Sequence, residues 1–346
     1  MRLACGCFIV PPSVLKRFAA DASLHAASRK AFADTSAMEA AWRKLRSAHN
    51  VATRSKKKTA LLGVAIAAAP AVTVYDCKNT TSEPGSPVAN PGASADGSAK
   101  RAFDETTGVA KFYKDCFGRN SVDDAGMTLM SSIHYGVKYN NAFWNGRQMT
   151  YGDGDGQIFI DFTMSNDVIG HELTHGVTQY TAGLDYSDEP GALNESISDV
   201  FGSMFRQWEG QQSVTDADWL IGSGIMGPTA TQRGYTCLRD MFDPCAKHCL
   251  SPQPVDYAHY EQGGDPHVNS GIPNRAFCLI AKAIGGNSWE KAGKVWYGAL
   301  TDKNASKSMT FKDFAGLTVN AAKTLFAADA SIAAATTKGW KTVGVL

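Results

Sequence analysis

No stretch of this chain is long and apolar enough to cross a bilayer. The longest apolar run, Ala60 to Val72, falls short of a membrane span and is interrupted by Pro70. Charge of one sign is also lacking. The formal net charge is +1, which gives no reason to expect nucleic acid or a charged membrane surface as a partner. No apolar leader core precedes Pro11-Pro12, so the sequence predicts a cytoplasmic protein, with leaderless secretion as the alternative. No internal repeat stands out. Cysteine is present at positions 5, 7, 77, 116, 237, 245, 249 and 278, without fixing the redox compartment. Cys245 and Cys249 could pair in a secreted chain, whereas without a leader reduced thiols are the default. With 44% apolar and 19% charged residues over 346 positions, the composition is that of an ordinary soluble protein, long enough for two or three domains.

Charge is distributed unevenly. Residues 1–58 carry a balance of +9 and the remainder −8, as a basic segment docked on an acidic body would require. Within the basic segment, residues 13–32 and 36–49 read as two helices. Val14, Leu15 and Phe18 form an apolar stripe in the first, and Ser36-Ala37-Met38-Glu39 forms a capping box for the second. Arg54-Ser55-Lys56-Lys57-Lys58 reads as a linker and a candidate cut site. Ala71 to Tyr75 is strand-like, residues 78–101 read as a loop, and a helix is expected from about Thr107 to Phe117. The Asp-Gly pairs at 153–156 predict a hairpin turn between strands. From His171 onward the pattern is mostly helical.

The chemistry concentrates at His171-Glu172-Leu173-Thr174-His175. Residues four apart on a helix differ by about 40° of rotation and about 6 Å of rise, so both imidazoles leave one face and can close on one ion. Zinc accepts such nitrogens at about 2.0–2.1 Å and, in catalytic sites, keeps one position for water. Glu172 is placed to reach that water as a base. Twenty residues after His175, Glu195 and Asp199 form an i, i+4 pair on a second helix. One of these carboxylates can be the third ligand while the other fixes a histidine tautomer.

Around these residues stand Asp167-Val168-Ile169-Gly170, Gly176-Val177-Thr178, Thr181-Ala182-Gly183-Leu184 and Gly191-Ala192-Leu193-Asn194-Glu195. With Tyr139 to Gly146, Tyr151 to Gly156 and His267 to Ile272, in that order along the chain, the sequence resembles the thermolysin family of zinc metallopeptidases over most of residues 70–346. Cys7-Phe8-Ile9-Val10-Pro11-Pro12 is similar to the short precursor segment of protealysin-type members. The resemblance implies an α+β, two-lobed zincin. A pro-segment at 1–58 would precede a β-rich lobe at 59–166 and a helical lobe at 167–346, with the zinc-binding helix between the lobes. It further implies one catalytic zinc on His171, His175 and Glu195, with Glu172 as general base. Asp199 would orient His171, and Asn194 would back His175. His267 and Tyr186 would stabilise the oxyanion, and Glu261 or Asp265 would orient His267.

For substrate, the resemblance implies that Asn141 and Ala142 hold an extended peptide by strand addition and that Arg239 bonds a carbonyl. Phe159, Phe162, Val168, Ile221, Ile225 and Leu238 would line an apolar pocket, so cleavage is expected before bulky hydrophobic residues. The pro-segment would lie over the cleft as an intramolecular inhibitor. A thiolate from Cys5 or Cys7 could occupy the open zinc position, against a disulfide between the two or idle thiols. Asp167 and Asp218 match calcium-binding positions of the family, but Arg206, Leu220 and Ser223 stand where other ligands would be, so a paired calcium site is not expected. The expected protein is a monomeric, self-processing endopeptidase acting on proteins or peptides. An aminopeptidase with the same ligands and a non-catalytic zinc-stabilised binding protein are the alternatives.

Overall fold

The computed structural model describes residues 7–49 and 69–346. Cys5 and the basic run at 54–58 lie outside the described residues. The first element among the described residues is a short strand β1 (Cys7–Phe8), followed by helices α1 (Pro12–Ala19) and α2 (Ala26–His49). The break between the helices falls at residues 20–25 rather than near residue 35. The capping box expected at Ser36 to Glu39 is therefore interior helix. Glu39 and the neighbouring Thr35 serve distant partners instead: Asn140 N donates to Thr35 Oγ1 at 3.1 Å and Asn141 Nδ2 to Glu39 Oε1 at 2.6 Å.

The first lobe continues with β2 (Val72–Asp76), β3 (Ser86–Pro87), α3 (Gly97–Phe117), β4 (Leu129–Ile133), β5 (Ala142–Trp144) and β6 (Met149–Tyr151). Helix α3 starts ten residues earlier than the sequence suggested. Asp96 caps it by accepting from Ser98 N and Ala99 N, which makes a small-residue stretch helical. Among the described residues the six strands form one sheet in the order β1-β5-β6-β4-β2-β3. Pairs β2/β4 and β4/β6 are parallel, while β1/β5, β5/β6 and β2/β3 are antiparallel. The Asp-Gly stretch follows β6 but is not a two-stranded hairpin. Asp155 Oδ1 instead accepts from the amides of Gln157, Ile158 and Phe159, wrapping the chain toward an isolated bridge with Met226.

The second lobe is helical: α4 (Asn166–Tyr180), α5 (Asp188–Glu209), the strand pair β7 (Leu220–Ile221) and β8 (Arg239–Asp240) with α6 (Pro228–Gln232) between them, then α7 (Pro266–Asn269), α8 (Gly271–Ile284), α9 (Ala292–Leu300), α10 (Phe311–Leu325) and α11 (Ala330–Thr342). Its core holds stacked Trp296 and Trp340 rings 5.6 Å apart, with Phe277 edge-on to Trp296 at 5.0 Å. Helix α4 lies between the lobes with all residues from Asp167 to Thr178 buried. It packs on α5 through glycines: a Cβ on Gly202 would meet Asp167 O at 2.5 Å, and one on Gly170 would meet Gly202 Cα at 3.0 Å. Only so close an approach lets side chains of α4 and α5 share one set of partners.

Candidate metal centre and peptide cleft

Helix α4 carries His171, Glu172 and His175 across the cleft floor, and α5 brings Glu195 and Asp199 alongside. The donor atoms of His171, His175 and Glu195 lie within 4.8 Å of one another, and all three residues are buried. The two Nε2 atoms are 3.0 Å apart; His171 Nε2 is 3.5 Å from Glu195 Oε2, and His175 Nε2 is 3.6 Å from Glu195 Oε1. Each ring is fixed from behind. Asp199 Oδ1 stands 2.9 Å from His171 Nδ1, while Asn194 Oδ1 at 2.9 Å and Ser198 Oγ at 3.0 Å flank His175 Nδ1. The rear carboxylate and amide favour the N–H on Nδ1, leaving both Nε2 lone pairs aimed at one point.

This set fits a zinc ion. Glu195 Oε2 is buried with no hydrogen-bond partner, and two acceptor nitrogens converge beside it. Such an arrangement is costly unless a cation answers it. Both oxygens of Glu172 are also buried without a well-formed hydrogen bond. Burial, reinforced by the Glu195 charge, pushes the Glu172 carboxyl far above its ordinary range, with the nearby Trp144 amide opposing weakly. His175 moves the other way: burial lowers it to about 3, so its ring is neutral and available as a ligand. Glu195 and Asp199 stay ionised despite burial, Glu195 chiefly through His267 and Asp199 chiefly through Arg239.

The remaining sequence-nominated groups ring this centre. Tyr186 OH donates to Glu195 Oε1, and its ring lies 6.4 Å from both His175 and His267. His267 Nε2 is 3.3 Å from Glu195 Oε2. Of the two acids left open by the sequence, Asp265 orients His267: its Oδ1 sits 2.5 Å from His267 Nδ1 and also accepts the His267 amide at 3.0 Å. Burial disfavours the His267 cation, but Glu195 and Asp265 outweigh it and raise its pKa. Arg239 does not pair with Asp240 or Asp243; it grips Asp199 through Nε at 2.8 Å and Nη2 at 2.7 Å. Asn274 adds a bond to Asp199 at 2.9 Å that nothing in the sequence pattern announced.

Residues 7–10 lie in the cleft. Strand β1 pairs antiparallel with β5, placing Cys7 opposite Trp144 and Phe8 opposite Phe143. Phe8 O accepts from His267 Nε2, and Ile9 O accepts from Arg239 Nη1 at 2.8 Å. Ile9 N donates to Ala142 O at 3.2 Å, and Val10 N to Asn141 Oδ1 at 2.9 Å. Phe159, Phe162, Val168, Ile221, Ile225 and Leu238 are fully buried in one apolar cluster with Ile9 and Val10. An aromatic chain reaches this cluster from the first helices, Phe18 to Phe32 at 5.2 Å and Phe32 to Phe159 at 6.1 Å.

A buried His-His-Glu set, an uncommitted carboxylate beside it and a strand-binding cleft across it are the parts of a metallopeptidase. Residues 45–179 match the thermolysin metallopeptidase catalytic domain, and residues 182–345 match the thermolysin metallopeptidase alpha-helical domain. Protease PrtS of Photorhabdus sp. (strain Az29) is 44% identical over 79% of this chain and 76% of its own length. An extracellular metalloprotease of Pectobacterium carotovorum subsp. carotovorum is 42% identical over 79% of this chain and 80% of its own. The solved precursor of protealysin, a metalloproteinase from Serratia proteamaculans, superposes with a TM-score of 0.83 at 39% identity, covering 98% of this chain and all of that one. The chain belongs to the thermolysin family of metallopeptidases, and it is a zinc metalloendopeptidase. The expectation of a cytoplasmic protein is overturned here, because a relative sharing four-fifths of its length with this chain is named extracellular. Among the described residues no helix is long and apolar enough to cross a membrane.

Proposed function

We propose that this endopeptidase is made as an extracellular precursor whose first segment, about residues 1–58, occupies the peptide cleft between a β-rich lobe at 59–166 and a helical lobe at 167–346. One observation carries the reading. The backbone of Phe8-Ile9-Val10 is held by Asn141, Ala142 and Arg239, nominated for substrate, and by His267, nominated for the oxyanion. The Phe8–Ile9 peptide thus lies where a bond to be cut would lie. Ile9, on its far side, is apolar and fully buried, and belongs to the same continuous core as the nominated pocket residues. The same pocket favours cleavage before bulky hydrophobic residues.

A single zinc on His171, His175 and Glu195 would supply a Lewis acid at the cleft floor. Glu172, buried beside the ligand set with neither oxygen committed to a hydrogen bond, would take a proton from the attacking water and deliver it to the leaving amine. His267 and Tyr186 donate to the carbonyl oxygen as it gains charge. Asp199 and Asn194 keep both histidine rings in the metal-binding tautomer. Cys7, adjacent to the carbonyl held by His267, is a candidate thiolate ligand in the precursor, as is Cys5. Calcium has no role in this reading. The Arg206 guanidinium bonds Asp218 at 2.7 Å, Ser223 at 3.1 Å and Leu220 O at 3.2 Å, filling with its own charge the place a cation would take.

The test is intact mass against time for the full chain with zinc, beside Glu172→Ala. Loss of an N-terminal segment in the wild type alone supports self-processing and the base. Equal cleavage of both would assign the cut to another protease. Product sequencing from casein then reads the preference, and charged residues after the cut bond would overturn it.

A further inference from the structure

Outside the catalytic cleft, two sulfur atoms meet in an unexpected pairing. Cys249 does not face Cys245, its near neighbour in sequence; Cys245 is exposed, with its Sγ 3.4 Å from Asp243. Cys249 is instead buried against Cys237, Sγ to Sγ 3.5 Å, through an isolated parallel bridge. Bonds from Thr236 N to His248 O and from Leu250 N to Cys237 O, both 3.0 Å, hold the two backbones in register on either side. Neighbouring strands lie about 4.7–4.9 Å apart, inside the Cα separation of about 4.4–6.8 Å that a disulfide spans.

We propose that Cys237 and Cys249 form a disulfide that staples the segment carrying Arg239. A bound metal is the competing use of these atoms, since His248 completes a set of three donors. His248 Nε2, however, faces the Asp240 carboxylate at 3.3 Å with its side chain 40% exposed, whereas both sulfurs sit in an apolar cluster with Ala246 and Leu220. A neutral disulfide suits that cluster; a pair of thiolates does not. The bond forms by exchange with a small-molecule disulfide such as oxidised glutathione. One cysteine thiolate attacks it and releases a thiol, and the second displaces the other half. Two protein S–H groups are oxidised, and the two electrons and two protons leave as two small thiols. The contact with Cys249, and then burial, hold the Cys237 thiol well above its ordinary range.

The staple sits under a working surface. Leu238 and Arg239 follow Cys237 directly, and Arg239 holds both Asp199 and the Ile9 carbonyl. On the other side of the bridge, Leu250 O accepts from Arg17 at 2.8 Å, while Arg233 binds Asp21 at 2.5 Å. The same stretch therefore anchors the substrate-binding arginine, the first helix and the turn that follows it.

The full chain, refolded in a glutathione redox buffer, would be alkylated under denaturing conditions and mapped without reduction. The expected product is one linked peptide joining Cys237 to Cys249, two hydrogens lighter than its parts, with Cys245 alkylated. Cys245→Ser should keep this link. A Cys245–Cys249 link would overturn the proposal, as would Cys237 and Cys249 both alkylated, including the case of a second zinc retained in native mass spectra. In melting experiments a reductant should bring the wild type down to the Tm of Cys237→Ser/Cys249→Ser and leave that variant unmoved. A wild type indifferent to a reductant that opens the bond would remove its role as a staple.

Discussion

Helix α4 has two charged neighbourhoods, and they are built on opposite plans. In its middle, buried acceptors converge without answering donors: the Nε2 atoms of His171 and His175, Glu195 Oε2 and both oxygens of Glu172. At its start, Asp167 is as deeply buried, but every need is met. Ser165 Oγ and Val168 N serve one oxygen, Gly222 N serves the other at 2.7 Å, and Arg206 stands 4.0 Å away. The difference teaches where an ion belongs. A cluster with unanswered valence calls for a cation, and a cluster closed by a guanidinium does not. Glu39 is a third case, answered by Asn141 and by Arg43 at 2.9 Å, but only while α2 stays docked.

The largest effect should come from the unanswered middle. Glu172→Gln is expected to lower kcat on a peptide substrate by about 10²–10⁴-fold while metal analysis still finds one zinc per chain. Loss of zinc in that variant would mean that Glu172 serves the ion rather than the water.

Glu39 tests the intermediate case by pH. Burial outweighs Arg43 and the Asn141 bond and raises its pKa from 4.5 to about 7. His267 also faces it, Tyr139 lies nearby, and Asp265 reaches it through Arg43 at 3.5 Å. The docked form therefore holds a proton that the undocked segment releases. Docking is favoured most below pH 4.5, weakens as the pH rises, and above about 7 bears the whole cost, about 3 kcal/mol. Hydrogen exchange of residues 26–43 in the Glu172→Ala chain should accelerate across this window once intrinsic rates are removed. Glu39→Gln should flatten the profile, and a flat wild-type profile would show that Glu39 stays charged when docked.

Packing between the two neighbourhoods comes next. Gly202→Ala drives a methyl into Asp167 O and is expected to cost about 1–3 kcal/mol, read as a lower Tm. A larger fall in zinc affinity than in Tm would place the damage at Glu195 and Asp199 rather than in general stability. The smallest expected effect concerns calcium: neither excess calcium nor a calcium-selective chelator should move the wild-type Tm. A shift of several degrees would break the comparison by showing a cation where Arg206 is argued to suffice.

Much of the centre was legible because helical periodicity is strict. A spacing of four in His171/His175 and again in Glu195/Asp199 puts each pair on one face, whatever surrounds them. Ser198 follows Asn194 by the same interval and could have been read with it. What escaped depends on distant partners. Ser36 to Glu39 look like a local cap, yet Glu39 and the neighbouring Thr35 bind Asn141 and Asn140 a hundred residues away. Asp265 and Glu261 cannot be ranked in sequence; the short helix α7, with Asp265 as its cap, decides between them. Cysteine pairing is the extreme case, since Cys245 is the near neighbour of Cys249 in sequence and Cys237 its neighbour in space.

The sheet order has a further consequence. Among the described residues its outermost strand on one side is β1, so the edge of β5 is occupied by Cys7 and Phe8 of the same chain. Without that strand, β5 would present a row of bare amides and carbonyls, the kind of border along which foreign strands and identical copies both align. If the first segment is removed as proposed, it would act as a placeholder for every later guest. It would keep the border from zipping onto a sister molecule and would leave behind an opening already shaped to an extended chain. Matured molecules should then stay dispersed best when peptides are plentiful and crowd together when they run out.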